Sequence, residues 1–327
     1  MAIDLVTGAP GWLATGLVKS LCNDGRKVMC LVQPRIDTSE LAKYPVDIIE
    51  CDITERESFK NFPATNLGSV FHCAGVIHPK KVKAFNLVNH LGTRNLLRLS
   101  KLRKASKFIF ISSNSAQGVN ISRERLMTEE DILLPENAYG RSKYLAELAV
   151  KEYAESYNLN ATILRPCWYY GPSQPDRQTR FMKMIKSGKP MIFGDGLNVR
   201  SMTYISNLID AMLLADSNPK SSGQTFWIAD ERPYPTLEII STIADLLDVE
   251  IKPRFIPDTI SKTFESLDGF LTKLGKYSPE VHVAGEMRKD IACSIEKAKR
   301  ILGYSPKVSL REGMRESIEW CRENEKL

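Results

Sequence analysis

The sequence predicts an α/β protein built on a doubly wound parallel sheet, completed by a smaller, mostly helical C-terminal lobe. Three observations carry that reading. Short apolar runs recur at 3–6, 27–32, 47–50, 69–72, 107–111 and 161–164, the composition of strands buried on both faces. Segments with helical apolar spacing separate most of these runs, and a parallel sheet needs such crossovers. The first run leads into a turn carrying Gly8, Gly11 and Ala14, after which Leu13, Leu17, Val18 and Leu21 recur at helical spacing.

That opening unit sets the first functional expectation. Free N–H groups at a helix start, together with the helix dipole, favour an anion such as a pyrophosphate. Gly8 lets the chain turn sharply, Gly11 lets backbone approach phosphate, and the small Ala14 lets helix pack on strand. The spacing is G-x-x-G-x-x-A rather than G-x-G-x-x-G, and a glycine turn between strand and helix is also common punctuation. The strand before it and the helix after it make this a dinucleotide-binding, Rossmann-type start.

Composition narrows the class. The chain has 327 residues, 43% hydrophobic and 26% charged, ordinary values for a globular enzyme with a large core. A net charge of +6 is modest, and the densest basic stretch, 101–107, ends a predicted helix where cations complement the dipole. Nucleic acid is therefore not an expected partner. Seven cysteines show no C-x-x-C or similar pairing, so neither a disulfide framework nor a metal site is expected, and a reducing compartment is. No leader is expected ahead of the first strand, and no apolar run nears the ~20 residues of a membrane span. A cytoplasmic protein is the expectation.

Taken in order, the strand at 27–32 ends without the acidic residue that would accept the ribose 2′-hydroxyl of NAD. Gln33, Pro34 and Arg35 stand there instead. A cationic Arg35 beside a 2′-phosphate points to NADP ahead of NAD; a solvated loop arginine is the plain alternative. Asp52, just past the strand at 47–50, can accept from an adenine amino group or N-cap the short helix that follows. The strand at 69–72 ends in Cys73-Ala74-Gly75, small residues that let backbone run close to a cofactor. His72 and His78 flank this turn; neither is assigned catalysis, and His78 is a candidate substrate contact. One long helix is expected over 81–104, with Asn89 on its inner face.

The strand at 107–111 ends in Ser112-Ser113-Asn114-Ser115, and Tyr139 begins a helix running to about 157. Beyond the strand at 161–164 the alternation loosens. Helices are expected at 181–187 and 208–215, an apolar segment at 202–205 and a strand at 226–229. Another helix starts at Pro235-Thr236, and a capping box, Ser309 to Glu312, precedes the last. The expected division is 1–170 for the dinucleotide-binding domain, with 205–230 returning to it, and 171–327 for the substrate lobe.

The chemistry rests on Tyr139 and Lys143, four apart and so on one helix face. A phenol with a free pKa of about 10 must be acidified to work near neutral pH, at about 1.4 kcal/mol per unit. An ammonium at ~4 Å and intermediate dielectric supplies about 4 kcal/mol before desolvation. Lys143 would provide that field and hold the nicotinamide ribose with its remaining donors. A serine hydroxyl opposite would hold the substrate oxygen. Tyr-x-x-x-Lys by itself is also an ordinary surface pair; its place after the serine cluster is what singles it out.

These pieces together resemble one family, the extended short-chain dehydrogenases/reductases, also called the NAD-dependent epimerase/dehydratase group. The likeness spans nearly the whole chain. It includes Thr7-Gly8-x-x-Gly11, Cys51-Asp52-Ile53-Thr54, His72-Cys73-Ala74-Gly75 and Asn89-x-x-Gly92-Thr93-x-Asn95. It continues through Ser112-Ser113 five residues before Gly118, Tyr139-x-x-x-Lys143, Leu164-Arg165-Pro166 with Tyr170-Gly171-Pro172, and Gly303-Tyr304-x-Pro306. The resemblance implies Tyr139 as acid/base, Lys143 as its partner and Ser113 as the substrate-orienting hydroxyl. It also implies a cofactor site. Gly8, Pro10, Gly11, Trp12 and Leu13 would contribute from the first turn, Gln33 and Arg35 from the second, and Asp52 and Ile53 from the third. Cys73, Ala74, Gly75, Asn89, Ser112, Tyr139, Lys143, Pro166 and Trp168 would complete it. Val76, His78, Ser113, Asn114, Tyr139 and Arg200 would meet the substrate. A homodimer through the helices at 81–104 and 139–157 is implied as well.

Departures narrow the reaction. Sugar-nucleotide dehydratases carry Asp-Glu after the Ser/Thr position, whereas Asn114-Ser115 follow Ser113 here, so elimination of water lacks its acid and base. Arg200, in Gly194-Asp195-Gly196-x-x-x-Arg200, resembles the arginine that grips a diphosphate. Asn207 stands where those enzymes usually have Asp, and 204–207 and 261–285 look more like the hydroxysteroid dehydrogenase branch. The expected activity is hydride transfer at a secondary alcohol or ketone of a nucleotide sugar, as a 4-epimerase or 4-ketoreductase. A sterol-like, lipid or flavonoid-like alcohol or ketone is the alternative substrate. A non-catalytic NAD(P)-binding regulator is the remaining class, and the intact Ser113, Tyr139 and Lys143 argue against it.

Overall fold

Adjacent residues in each central strand serve opposite faces of one sheet, and that alternation decides the layering. Val6, Val28, Cys30, Val32 and Phe71 face one core, whereas Leu5, Met29, Leu31 and Val70 face the other. The computed structural model describes residues 2–60, 62, 63 and 65–327. Along the chain, β1 (Ile3–Thr7), α1 (Trp12–Asn23), β2 (Val28–Val32), β3 (Val46–Glu50) and β4 (Leu67–His72) come first. They are followed by α2 (Thr93–Leu102), β5 (Lys107–Ile111), α3 (Ala138–Tyr157) and β6 (Ala161–Pro166). Next come β7 (Trp168–Tyr170), α4 (Asp176–Lys186), β8 (Met191–Phe193), β9 (Val199–Arg200), β10 (Met202–Tyr204), α5 (Ile205–Ser217) and β11 (Thr225–Ile228). The remainder is β12 (Tyr234–Pro235), α6 (Thr236–Leu247), β13 (Arg254–Ile256), α7 (Asp258–Lys273), α8 (Pro279–Glu286), α9 (Glu296–Leu302) and α10 (Leu310–Glu323).

Seven of these strands form one parallel sheet in the order β11-β6-β5-β4-β1-β2-β3. The doubly wound α/β expectation is met. Leu13, Leu17 and Leu208 of α1 and α5 cover one face; Leu96, Ala146 and Val150 of α2 and α3 cover the other. Strand order reverses between β1 and β4, and the crevice beyond their carboxyl ends is where such sheets bind ligands.

One expected helix is not a single helix. Residues 81 and 82 form a bridge and a turn, Phe85–Gly92 winds in wider π-type turns, and the regular α-helix runs over Thr93–Leu102. Wide turns of this kind arise where a side chain claims a special place. Asn89 is that side chain: its Oδ1 accepts from Val76 N at 2.8 Å, and its Nδ2 donates to Val76 O and Ser142 Oγ, each at 3.0 Å.

The C-terminal signature also finds a structural reason. Gly303 ends α9 at φ 71°, and the Tyr304 hydroxyl donates to Ala229 O at 2.8 Å. Asn207 Oδ1 accepts from Lys307 N at 3.0 Å, tying α5 to the segment that leads into α10. The capping box at Ser309 and Glu312 starts that helix. Among the described residues no helix is long and apolar enough to cross a membrane.

Candidate active site

The first turn is built so that nothing but backbone fills it. A Cβ on Gly8, whose φ is 90°, would lie 2.7 Å from Ala74 N; one on Gly11 would lie 2.6 Å from Gly8 O. Glycine alone fits both places. Gly11 also N-caps α1 without a side-chain hydrogen bond, so the first amides of the helix are left for an anion. A cleft of about 710 Å³ opens above this turn.

The adjoining β4 turn is held by a buried chain of hydrogen bonds. Thr93 Oγ1 donates to Asn89 O at 2.7 Å, so it accepts from His72 Nε2 at 2.8 Å. His72 Nδ1 then accepts from Thr7 Oγ1 at 2.8 Å, and Thr7 Oγ1 in turn accepts from Ala74 N at 3.2 Å. Burial pushes His72 down to about 3, which keeps it neutral. It is a structural hydrogen bonder. The carboxyl ends of β1 and β4 are thereby locked at the point where the cleft begins.

Ser112, Ser113, Tyr139 and Lys143 all line the cleft, and Ser113 and Tyr139 line a second cavity of about 600 Å³ as well. Two elements produce this meeting. Ser113 N-caps the short turn Asn114–Ala116, its Oγ accepting from Ser115 N at 3.2 Å. Asn137 N-caps α3, its Oδ1 accepting from Gly140 N at 2.7 Å, which starts the helix one residue ahead of Tyr139. The phenol and the serine hydroxyl thus face the boundary between the two cavities.

The protein's own groups do not acidify the phenol. Burial raises Tyr139 above its ordinary value, and the Ser113 hydroxyl beside it works in the other direction. Lys143 Nζ donates to Ile111 O at 2.8 Å and lies 4.9 Å over the Phe110 ring. Burial pushes Lys143 down to about 8. Among the influences on Tyr139 in this structure burial is the largest, and Lys143 is not one of them.

Most of the expected cofactor residues converge. Gly8, Gly11, Trp12, Leu13, Gln33, Asp52, Ile53, Cys73, Ala74, Gly75 and Pro166 line the cleft. Asp52 does not cap the following short helix; its Oδ1 accepts from Thr54 N at 2.9 Å and Thr54 Oγ1 at 2.8 Å. Four residues lie off the lining. Pro10 stays within the turn, Arg35 stands on the exposed loop at φ 64°, and Asn89 clamps Val76 from behind. Trp168 faces the second cavity, packed 5.3 Å from Phe181.

Of the substrate set, His78, Asn114 and Arg200 line the second cavity, whereas Val76 lines the cleft. Arg200 is buried; Nη2 donates to Glu286 O at 2.5 Å, and Nε has no partner among the described residues. Sequence reasoning missed Tyr169 and Arg177, which line both cavities, and Tyr277, His282 and Glu286, which wall the second. Arg177 escaped because α4 starts at Asp176 rather than 181. It also missed a buried ion pair behind the serines: Arg165 Nε and Nη2 donate to Glu147 at 2.9 and 2.6 Å, and Ser112 Oγ donates to Glu147 at 2.6 Å. Glu147 lies on α3 and Arg165 on β6, so no local spacing flags the pair.

Comparison with known proteins adds to this geometry. The family model described as NAD dependent epimerase/dehydratase matches residues 5–229. An uncharacterized protein of Sinorhizobium fredii, y4nL, is 41% identical over 98% of this chain and 95% of its own length. The UDP-glucose 4-epimerase of Vibrio cholerae is 29% identical, covering 96% of this chain and 94% of its own. Among solved structures, UDP-glucose 4-epimerase of Thermotoga maritima with UDP-glucose superposes with a TM-score of 0.79 at 26% identity, covering 98% and 99%. A family model covering residues 5–229 and a relative 41% identical along nearly the whole chain settle the kinship: the chain belongs to the NAD-dependent epimerase/dehydratase family of extended short-chain dehydrogenases/reductases.

Proposed function

We propose that the protein transfers hydride at a secondary alcohol or ketone of a nucleotide-activated sugar, as a 4-epimerase or 4-ketoreductase. One observation carries the proposal. Ser113 and Tyr139 stand where the glycine-floored cleft meets the cavity containing Arg200. That the Vibrio cholerae and Thermotoga maritima relatives are UDP-glucose 4-epimerases supports the substrate class. The residues present fit a dinucleotide, since the Gly8–Gly11 turn leaves space only for backbone and presents uncapped helix amides.

A bound nicotinamide cofactor would supply the hydride acceptor and, when oxidised, a positive ring near the phenol. The chain's residues supply the rest. The Tyr139 phenolate takes the proton from the substrate alcohol at its Oη, or the phenol gives its Oη proton to the carbonyl. Ser113 Oγ donates to the same substrate oxygen and steadies its developing charge. Lys143, now donating to Ile111 O, would hold a ribose hydroxyl of a bound cofactor and help hold the phenolate. Arg200 Nε, left without a partner, supplies a donor to a diphosphate. Arg35, standing on the loop between Gln33 and Ile36 of the cleft wall, favours NADP ahead of NAD.

A homodimer belongs to the same proposal. The outer faces of Phe85–Gly92 and α3 leave Leu87, Leu91, Leu148 and Tyr157 exposed, and a second copy would cover them. Incubation with UDP-glucose or UDP-galactose tests the activity, with product followed by chromatography and nicotinamide absorbance monitored. Interconversion without added cofactor supports an epimerase. Consumption of NADPH by a 4-keto sugar supports a reductase. Turnover of neither, with turnover of a sterol or flavonoid ketone, overturns the substrate class.

A further inference from the structure

The helix α7 is turned inside out. Its inner face is polar: Ser261 Oγ donates to Ala284 O at 2.8 Å, and Asp268 Oδ2 pairs with His282 Nδ1 at 2.8 Å. Glu265, on the same face, holds Arg288 at 2.9 Å and Lys289 at 2.7 Å. These contacts fix the helix against α8 and the segment after it. The outer face is apolar. Ile260, Leu267, Phe270 and Leu274 follow at helical spacing and are 44%, 41%, 59% and 57% exposed. Phe255, just before the helix, is 56% exposed. Rolling the stripe inward would break every one of the polar contacts, so the apolar face is held outward by design of the sequence.

Charge identifies what that face meets. Lys273 and Lys276 stand at its C-terminal end. The loop before the π-type segment joins them there, with Val82 N donating to Gly275 O at 3.3 Å and a bridge pairing Lys81 with Lys276. That contact brings Lys80, Lys81 and Lys83 to the same end. All five lysines are exposed, and among the described residues none is in an ion pair. The carboxylates of α7 nearest them, Glu265 and Asp268, are on the inner face and already paired. A stripe of Phe, Leu and Ile bordered by unpaired lysines is the pattern of a helix lying in the headgroup layer of an anionic bilayer.

We propose that α7 and the lysines around its end dock the protein on an anionic phospholipid surface. The docked face is the back of the cavity wall formed by Tyr277, His282 and Glu286. Docking does not depend on the proposed substrate. Binding should strengthen with anionic lipid content and weaken with salt, because the attraction falls off over a Debye length.

Co-sedimentation with vesicles of phosphatidylglycerol mixed with phosphatidylcholine, compared with phosphatidylcholine alone, tests the proposal on the full chain. The protein is expected to pellet with the mixed vesicles and stay in solution with the neutral ones. Phe270→Glu with Leu267→Glu is expected to lower the partition at least tenfold. Each of Lys273→Ala and Lys276→Ala should lower it about fivefold, the equivalent of ~1 kcal/mol per lysine. Unchanged melting and unchanged NAD(P)H binding in these variants show that folding and cofactor site are intact. Failure to pellet with anionic vesicles overturns the proposal, as does equal pelleting of the double variant. Light scattering supplies a third check: if Phe270→Glu converts a dimer to a monomer, the face belongs to a second copy and the proposal falls.

Discussion

Gly140 and Ser115 meet backbone to backbone: a Cβ on Gly140 would overlap the Ser115 carbonyl oxygen and come within 2.9 Å of its carbon. This approach lets the first turn of α3 press on the serine turn, and so sets Tyr139 against Ser113. Both functional hydroxyls are placed by a residue that carries no chemistry itself.

Gly140→Ala is therefore expected to lower kcat about a hundredfold, the usual effect of displacing a reacting group by about 1 Å. NAD(P)H binding, read by fluorescence, should stay within a few-fold, because the cleft floor at Gly8 and Gly11 is untouched. A variant with full activity would show that the approach does not position the pair.

Tyr139→Phe removes only the hydroxyl. Hydride transfer is expected to fall by about three orders of magnitude or more with cofactor affinity retained. An unchanged rate in stopped-flow measurements would remove Tyr139 from the mechanism.

Lys143 gives a pH dependence of stability. Its folded value is about 8 against an ordinary 10.5, because burial penalises the charged form. Below about pH 8 both states hold the proton and the folded state bears the penalty. Between about pH 8 and 10.5 the unfolded chain holds a proton that the folded site has shed, so this group's contribution to stability rises with pH and then levels. Urea unfolding of wild type and Lys143→Met should show wild type gaining up to about 3 kcal/mol on the variant from pH 7 to pH 10. A constant difference would contradict the shift.

Glu147 and Arg165 are buried to within 1% and share two hydrogen bonds. Glu147→Gln strands the guanidinium in the core and should destabilise by about 3–5 kcal/mol in denaturant titrations. The double change Glu147→Leu with Arg165→Met should cost clearly less than the single changes summed, since both charges leave together. Additive losses would mean that the pair is not coupled.

Arg200→Met tests the substrate assignment. If a diphosphate meets the unpartnered Nε, KM for UDP-glucose should rise at least tenfold, and Arg200→Lys should recover only part of it. An unmoved KM would shift the reading towards an alcohol or ketone without phosphate.

Local information was enough for much of this protein. Strand and turn chemistry at 3–16 announces the glycine floor, since a residue needing positive φ or backbone contact must be glycine wherever the chain later goes. Buried strands read as apolar runs, and the capping box at Ser309 reads directly, because both depend on neighbours a few residues away. Serine, tyrosine and lysine were found through order along the chain. Tertiary structure alone decided the rest. Asn89 reached across to Val76 and opened the helix into π-type turns, Trp168 turned from the cleft to the second cavity, and Lys143 found Ile111 O as a hydrogen-bond acceptor. It also buried the polar side of α7 and left the apolar side outward, a choice made by Asp268 and Glu265 finding His282, Arg288 and Lys289. Hydrogen bonds and ion pairs between residues distant in sequence depend on where packing brings them. Desolvation, which sets Tyr139 and Lys143, exists only once the chain has closed around them.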